Sequence, residues 1–189
     1  MARLVYAAIT SLDGYVADSH GSFEWAAPDD EVHAFVNDLE RPLGTYLYGR
    51  RMYEVMSYWQ AVPDLDDEPH VIQDYARIWQ EASKIVFSTT LASVSTPRTR
   101  LEREFSADWV AEAKRSTGPD MGIGGAELAG QAITAGVVDE IHLIVVPVIV
   151  GGGSPALPGH VRSGLRLLDV NRFTSGTVHL HYEVSGTVR

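Results

Sequence analysis

The sequence predicts a mixed α/β fold in which a mostly parallel sheet, flanked by helices, gains an antiparallel hairpin at its end. Through the first three quarters of the 189 residues, short apolar runs alternate with segments whose apolar residues recur at i, i+3, i+4 and i+7. Such alternation of strands and helices is typical of a parallel sheet covered by helices. After residue 164 the apolar residues recur at every second position, which indicates half-buried antiparallel strands.

The first strand and helix follow from local patterns. The apolar run at residues 4–9 predicts a buried strand, and the turn at residues 11–14 ends it. The helical spacing of Val32, Phe35, Val36 and Leu39 predicts the first long helix. Asp29 or Asp30 caps its amino end in this interpretation.

Further elements follow in the same alternating order. A strand at 45–48 leads through Gly49 into a second helix, and the acidic stretch 63–69 is predicted to be a solvated loop. A helix at 71–82 precedes a strand at 85–87, whereas residues 91–105 give no clear pattern. Ser106 caps the next helix, and the last helix follows Gly124-Gly125 and stops at Gly136.

The carboxy-terminal quarter predicts strands alone. The apolar run 141–150 contains Pro147, so we expect a strand end or a bulge there. A hairpin turn at 174–176 leads into a strand that carries His179 and His181 on one face. We expect this face to contact solvent and to hold no metal, because no carboxylate or third histidine stands at a clear ligand spacing.

Composition limits the classes of function. The net charge of −10 argues against nucleic acid or an anionic membrane as a partner. The absence of cysteine excludes disulfides and thiolate catalysis, and no apolar run is long enough to cross a membrane. We expect a single domain over residues 1–189, located in the cytoplasm.

The most informative motif is a strand that runs through Gly124-Gly125 directly into a helix. Glycine lets backbone N–H groups approach an anion closely, and the helix amino end adds free donors and a positive dipole. This predicts a phosphate or pyrophosphate site, with a tight turn without ligand as the equally weighted alternative. Glu127 stands where the dinucleotide fingerprint G-x-G-x-x-G requires glycine, and we expect its side chain to point outward.

Two other strand ends carry groups suited to phosphate. Gly49-Arg50-Arg51 starts a helix with two guanidinium groups, which bind phosphate oxygens bidentately but oppose the helix dipole. Ser88-Thr89 ends a third strand with two hydroxyl groups. Ligands of open α/β sheets gather at the carboxyl ends of strands, so the coincidence favours a nucleotide site over unrelated surface residues.

A substrate site is predicted beside the first long helix. Trp25 precedes two carboxylates, Asp29 and Asp30, and a carboxylate there can hold a protonated ring nitrogen. Simple helix capping is the alternative for either aspartate. No Gly-x-Ser-x-Gly elbow occurs, so a serine hydrolase has no support.

Together these motifs resemble the dihydrofolate reductase superfamily, and within it the C-terminal reductase domain of the bacterial bifunctional riboflavin-biosynthesis deaminase–reductase. The matching stretches are SLDGYVA at 11–17, YGRRMYE at 48–54, IGGAEL at 123–128, and DE at 139–140 leading to VPVIVGGG at 146–153. The resemblance implies a dihydrofolate-reductase-like three-layer fold, NADPH as cofactor and a homodimer.

The resemblance also implies roles for individual residues. Trp25 and Asp30 keep the spacing of the substrate-binding tryptophan and acid, so Asp30 is the candidate catalytic residue. The implied cofactor contacts are Thr10 and Val16 at the nicotinamide, Gly124 and Gly125 at the pyrophosphate, and Arg50, Arg51, Ser88 and Thr89 at the adenosine end. Gly49, Ile123, Ala126 and Glu127 are the remaining implied cofactor-binding residues.

By this resemblance we expect an oxidoreductase that transfers hydride from NADPH to a pteridine- or pyrimidine-like heterocycle, as in riboflavin biosynthesis. The alternatives are a true dihydrofolate reductase and an NADPH-binding module without turnover. Two departures from the folate enzymes stand out. Met52 occupies a position where those enzymes have threonine, and the triple glycine 151–153 belongs to the riboflavin branch.

Overall fold

The computed structural model describes residues 1–61, 68–115 and 118–187, and so most of the predicted acidic loop 63–69 lies outside the described residues. The described residues form ten strands: β1 (Leu4–Thr10), β2 (Tyr15–Asp18), β3 (Leu43–Gly49), β4 (Ser83–Phe87), β5 (Thr99–Glu102), β6 (Asp120–Gly124), β7 (Glu140–Val145), β8 (Gly153–Pro155), β9 (Ser163–Arg172) and β10 (Val178–Thr187). The helices are α1 (Asp30–Glu40), α2 (Arg50–Met56), α3 (His70–Glu81), α4 (Ala107–Lys114) and α5 (Ala126–Thr134). Short 3₁₀ turns occupy Glu24–Ala26 and Ser57–Gln60.

Eight strands form one sheet in the order β5-β4-β3-β6-β1-β7-β10-β9. The six strands from β5 to β7 are parallel, and β10 and β9 add antiparallel to the β7 edge. The remaining strands, β2 and β8, form a small antiparallel sheet of their own. The predicted mixed sheet with a closing hairpin is therefore confirmed.

Helices cover both faces of the large sheet, because alternate side chains of each parallel strand point to opposite sides. On one face Leu4, Tyr6 and Ile123 pack with the apolar stripe of α5 and with Val110 of α4. On the other face Tyr46, Tyr48 and Val86 of the sheet pack with α2 and α3, and α1 covers the part around Ile144. The result is a three-layer arrangement with two apolar cores.

Local chemistry sets the helix ends. The side chain of Asp29 accepts a hydrogen bond of 2.9 Å from the N–H of Val32, which assigns the α1 cap to Asp29 and not to Asp30. Ser106 caps α4 as predicted, through a 3.1 Å bond from the N–H of Trp109. β7 ends at Val145, two residues before Pro147.

Among the described residues, none of the helices combines the length and the apolar character that crossing a bilayer requires.

Candidate functional site

The predicted site segments meet at one edge of the sheet. Gly49 at the end of β3 lies beside Phe87 of β4, and Tyr48 of β3 lies beside Gly124 of β6. β1 runs next to β6 and continues to Thr10, which pairs with Val145 of β7. The carboxyl ends of β1, β3, β4 and β6 are therefore neighbours, as the sequence predicted from their parallel direction.

The Gly124-Gly125 turn has a packing reason of its own. A Cβ on Gly124 would come within 2.8 Å of the Tyr48 ring, and one on Gly125 within 3.1 Å of the Met52 side chain. Gly125 also has φ +91°, a conformation that side chains with a Cβ rarely adopt. Close packing thus accounts for both glycines, and the phosphate role rests on what this helix end offers.

What α5 offers is an uncapped amino end. Gly125 is its N-cap residue, and no side chain in the described part of the chain caps it. The first N–H groups of a helix have no partner within the helix, so they are available to an anion. Glu127, in the first turn, is exposed, in agreement with the prediction that it points outward.

The cationic side of the edge consists of exposed arginines. Arg50 and Arg51 are exposed at the start of α2, and Arg50 has only a loose ion pair of 3.9 Å with Glu54. A third arginine was not predicted: Arg103 donates to the carbonyl oxygens of Ser88 and Leu91 at 3.1 and 2.7 Å. It follows β5, in the stretch where the sequence gave no clear pattern.

The two hydroxyl residues after β4 differ in their availability. Ser88 is buried, and its Oγ accepts the N–H groups of Thr90 and Leu91 at 3.2 and 3.0 Å. The Ser88 hydroxyl therefore shapes the turn. Thr89 is exposed and can reach a ligand.

A loop after β1 closes the other side of the edge. The carboxylate of Asp13 accepts the N–H groups of Val150 and Gly151 at 3.1 and 2.8 Å, so the 11–14 turn is tied to the triple-glycine segment. These hydrogen bonds, with one from Ser11 as the largest contribution, lower the pKa of the exposed Asp13. Val16, a predicted nicotinamide contact, lies half-buried in β2 next to this loop.

A pocket of about 200 Å³ lies beside α1, at the position predicted for the substrate site. Its lining comes from Trp25, Asp29 and the turn between them, together with Ile9, Val32, residues 146–148, Ser175 and Thr177. The wall is mainly apolar, with one carboxylate at its rim. This composition suits a flat heterocycle held by one directed hydrogen bond.

The two aspartates take different positions. Both side chains are exposed, but Asp29 lines the pocket, whereas Asp30, the sequence-predicted catalytic residue, does not. Hydrogen bonds, first that from the N–H of Val32 and then one with Ser175, lower the pKa of Asp29. The carboxylate at the pocket is therefore ionised at neutral pH.

A larger cavity of about 720 Å³ lies at the opposite end of the sheet, lined by Lys84, Arg98, Arg100 and Trp109 among others. It contains none of the predicted site residues. Its position at the amino ends of β3, β4 and β6 places it away from the phosphate-binding groups.

The prediction that the histidine face of β10 contacts solvent is wrong. His179 is buried at 2% exposure and its ring lies 4.6 Å from that of Phe35 on α1. His142 of β7, also buried, lies 2.9 Å (Nδ1) from Nε2 of His179 and stacks on His181 at 4.0 Å. Burial, followed by the neighbouring histidines, lowers the pKa of His142 to about 3 and that of His179 to about 4.

A carboxylate and a third histidine thus join the pair that the sequence singled out. Glu140 Oε2 lies 3.1 Å from His181 Nε2 and 3.7 Å from His142 Nε2. Sequence contained a signal for this cluster, because Glu140 and His142 are two residues apart on β7, like His179 and His181 on β10.

The fold and the strand-edge site define a dihydrofolate-reductase-like protein. The sequence model for the RibD C-terminal domain matches residues 2–179, and the chain belongs to that family. Among curated relatives, the uncharacterized protein YyaP of Bacillus subtilis (strain 168) is 26% identical over 186 residues, which cover 97% of this chain and 96% of YyaP.

Solved structures agree on the fold. A Shewanella sp. PV-4 protein provisionally ascribed to riboflavin biosynthesis superposes with a TM-score of 0.74 at 20% identity, covering 98% of this chain and 99% of that one. The Thermotoga maritima deaminase/5-amino-6-(5-phosphoribosylamino)uracil reductase gives 0.64 at 13% identity, with 97% of this chain and 56% of that one. Enterococcus faecalis dihydrofolate reductase, solved with NADP(H), gives 0.63 at 14% identity, with 97% and 96% covered.

Proposed function

We propose that this protein is an NADPH-dependent reductase of a pteridine- or pyrimidine-like heterocycle. The observation that carries the proposal is the meeting of three groups at one sheet edge: the uncapped end of α5, the exposed Arg50-Arg51 pair, and an apolar pocket with one ionised carboxylate. The first two suit a dinucleotide and the third suits a flat ring, which is the combination that a hydride transfer needs.

Positive charge and free N–H donors support the proposed cofactor site. The α5 amino end would receive the pyrophosphate through the backbone N–H groups between Gly124 and Glu127. The side chain of Ile123 is buried, so this residue could contribute only its main chain. Arg50 and Arg51 after β3, with Thr89 after the neighbouring β4 and Arg103 after β5, would receive the adenosine 2′-phosphate. Exposed arginines at a helix start oppose the dipole, and a bound phosphate removes that conflict.

The nicotinamide end would lie between β1 and the tied loop. Thr10 is buried at 2% exposure at the end of β1, and the Asp13 hydrogen bonds hold the 11–14 turn against residues 150–151. NADPH held there would supply a hydride to the carbon of a C=N or C=O bond, and water would supply the proton that completes the reduction.

The pocket beside α1 supports the proposed substrate site. Trp25 and Ile9 offer apolar surface to a ring, and the Asp29 carboxylate offers an acceptor for a ring N–H. Because its pKa is lowered, Asp29 acts as a charge partner rather than as a proton donor. Asp30, whose spacing from Trp25 made it the candidate catalytic residue, is the alternative to Asp29 as the acid that binds the substrate ring.

The test is a steady-state assay of the purified protein with NADPH, offered separately dihydrofolate and the ribosylaminopyrimidine phosphate of riboflavin biosynthesis. Turnover of the pyrimidine supports the proposal, and turnover of dihydrofolate alone supports the folate alternative. Saturable NADPH binding without oxidation, measured by quenching of nicotinamide fluorescence, would identify the binding module. Absence of NADPH binding would overturn all three.

A further inference from the structure

We propose that Glu140, His142 and His181 form a binding site for a divalent transition metal ion, with Zn²⁺ the best-suited ion. One ligand atom from each of the three residues lies within 4.8 Å of the other two. Two imidazole nitrogens and one carboxylate oxygen are a ligand set that zinc takes in proteins, with water at the remaining position.

Strand geometry brings these ligands together. Glu140 and His142 are two residues apart on β7, so they share one face of the sheet. On the adjacent antiparallel strand β10, His181 pairs directly with His142. The sheet rather than a loop therefore fixes the backbone positions of the three ligands.

The distances are close to those of a bound ion. Glu140 Oε2 lies 3.1 Å from His181 Nε2 and 3.7 Å from His142 Nε2. Zinc bonds of about 2.0–2.2 Å in a tetrahedron place ligand atoms about 3.3–3.6 Å apart. The rings of His142 and His181 stack at 4.0 Å with their planes 18° apart, so one ring has to rotate for both Nε2 lone pairs to point at a single ion.

Groups behind the ligands orient them. His142 uses Nδ1 for a 2.9 Å contact with His179 Nε2, which leaves its Nε2 on the Glu140 side. The same amide nitrogen of Asn171 donates to Asp169 at 2.9 Å and lies 3.3 Å from His179 Nδ1, which favours the His179 proton on Nε2. Ligation through His142 Nε2 requires the opposite order, with the His142 proton on Nδ1 and donated to His179 Nε2, a hydrogen bond of the kind that metal-bound histidines commonly make.

Charge and access favour a cation as well. The other oxygen of Glu140 accepts from Arg3 at 2.5 Å, but Arg3 is also bound by Asp120 at 2.9 Å. One arginine facing two carboxylates leaves the group with net negative charge, which a divalent ion would reverse. The side chains of His181 and Glu140 are 20% and 11% exposed, so an ion and a water ligand can enter from solvent.

The site is separate from the proposed reductase chemistry. Glu140 begins β7 and Val145 ends it beside Thr10, and five residues of strand span about 16 Å. A bound ion would therefore pin β7 to β10 without contacting the nicotinamide end. Its test does not depend on cofactor or substrate, so the two proposals fail independently.

The experiment uses the full chain, freed of any histidine tag and stripped with a chelator. Co²⁺ is added as the probe, because its visible absorption reports low-coordinate nitrogen and oxygen ligation, and Zn²⁺ is then added as competitor. We expect one Co²⁺ per chain, displaced by Zn²⁺, and a higher melting temperature with Zn²⁺ because the ion binds the folded state.

Two variants and one control assign the ligands. His181→Gln leaves the Arg3–Glu140 pair intact, and Glu140→Gln keeps the shape of the carboxylate; each should weaken Co²⁺ binding at least tenfold and remove the Zn²⁺ effect on melting. His160→Gln changes an exposed histidine elsewhere and should bind like wild type. Absence of stoichiometric binding at micromolar Co²⁺, or equal binding by all variants, would show that the cluster is only hydrogen-bonded.

Discussion

The carboxylate of Asp29 accepts a 2.9 Å hydrogen bond from the N–H of Val32, at the point where α1 borders the apolar pocket. One side chain thus caps a helix and lines the proposed substrate site. Its neighbour Asp30 neither caps the helix nor lines the pocket. This arrangement separates the two interpretations of the aspartate pair that the sequence left open.

Asp29→Asn should keep the fold and lower turnover. Asparagine caps helices about as well as aspartate, so the melting temperature should change little. The substitution removes the charged partner of a ring N–H; a hydrogen bond to a charged group contributes about 1.5–3 kcal/mol, so we expect kcat/KM to fall by about tenfold to a hundredfold. Steady-state kinetics at saturating NADPH measures this.

Asp30→Asn is the matched control for that variant. From the pocket geometry we expect its kinetics to be those of wild type. A loss of that size at Asp30 with normal kinetics at Asp29 would instead restore the assignment made from the Trp25–Asp30 spacing. Loss in neither variant would leave Asp29 as a helix cap alone.

Replacing both Arg50 and Arg51 with alanine should reduce the preference for NADPH over NADH. A guanidinium–phosphate hydrogen bond contributes about 1.5–3 kcal/mol, which corresponds to about tenfold to a hundredfold in affinity. NADH lacks the 2′-phosphate, so its affinity should stay nearly constant. Isothermal titration of both cofactors gives the ratio.

Arg166→Ala is a suitable control, since this exposed arginine lies on β9 at the far edge of the sheet and pairs with Glu183. It should retain the wild-type ratio of affinities. Equal binding of NADPH and NADH by wild type would contradict the prediction outright.

Most helices and strands, and the fold class, could be predicted from the sequence because the spacing of apolar residues in each segment matches the buried face of a helix or a strand. α1, α3 and β10 lie where spacing placed them. β5 was not predicted, because its four residues TRLE pair only at the sheet edge and carry little apolar signal. The spatial order of the strands also depends on contacts between distant segments, which local periodicity does not encode.

The site was predictable only as far as it follows strand ends. The glycines and arginines at the ends of β3 and β6 correctly predicted that these strand ends lie at one edge of the sheet. Only the structure could assign the α1 cap to Asp29 rather than to Asp30. The histidine face was misjudged because burial of polar residues depends on what lies above them. Here α1 brings Phe35 over His179, and β7 contributes His142 and Glu140.

The three-way contact at Glu40 predicts a pH-dependent stability. Glu40 accepts from the phenols of Tyr75 at 2.6 Å and Tyr46 at 3.1 Å, joining α1, α3 and β3. Burial raises the pKa of this carboxyl, although both phenols act in the opposite direction. The folded state therefore binds the proton more tightly, and stability is lost as pH rises from about 4.5 through the raised pKa.

Glu40→Gln removes that titration, so wild type should lose stability relative to this variant between pH 4.5 and 7. Urea unfolding at both pH values measures the difference, in which other carboxylates cancel. Glu54→Gln, at an exposed position, should show no such change. If the stability of wild type relative to Glu40→Gln stayed constant or rose between pH 4.5 and 7, the raised pKa would be contradicted.

The exposed side chains of β9 predict a homodimer, which is also the assembly that the family resemblance implies. β10 lies inside the sheet, so the unsatisfied surface is on the edge strand: Leu165, Leu167 and Val170 are 41%, 51% and 49% exposed. Their pairing with Val184, Tyr182 and Leu180 places the three on one face. An apolar edge strand of this kind is normally covered by a partner.

Leu165→Glu combined with Leu167→Glu should therefore convert the protein from dimer to monomer, because two buried carboxylates without partners would oppose association. Light scattering during size-exclusion chromatography at micromolar concentration gives the mass directly. Val55→Glu, which charges an exposed apolar side chain on α2, should remain dimeric. A wild-type mass of one chain would reject the dimer, and a dimeric double variant would place the interface on another surface.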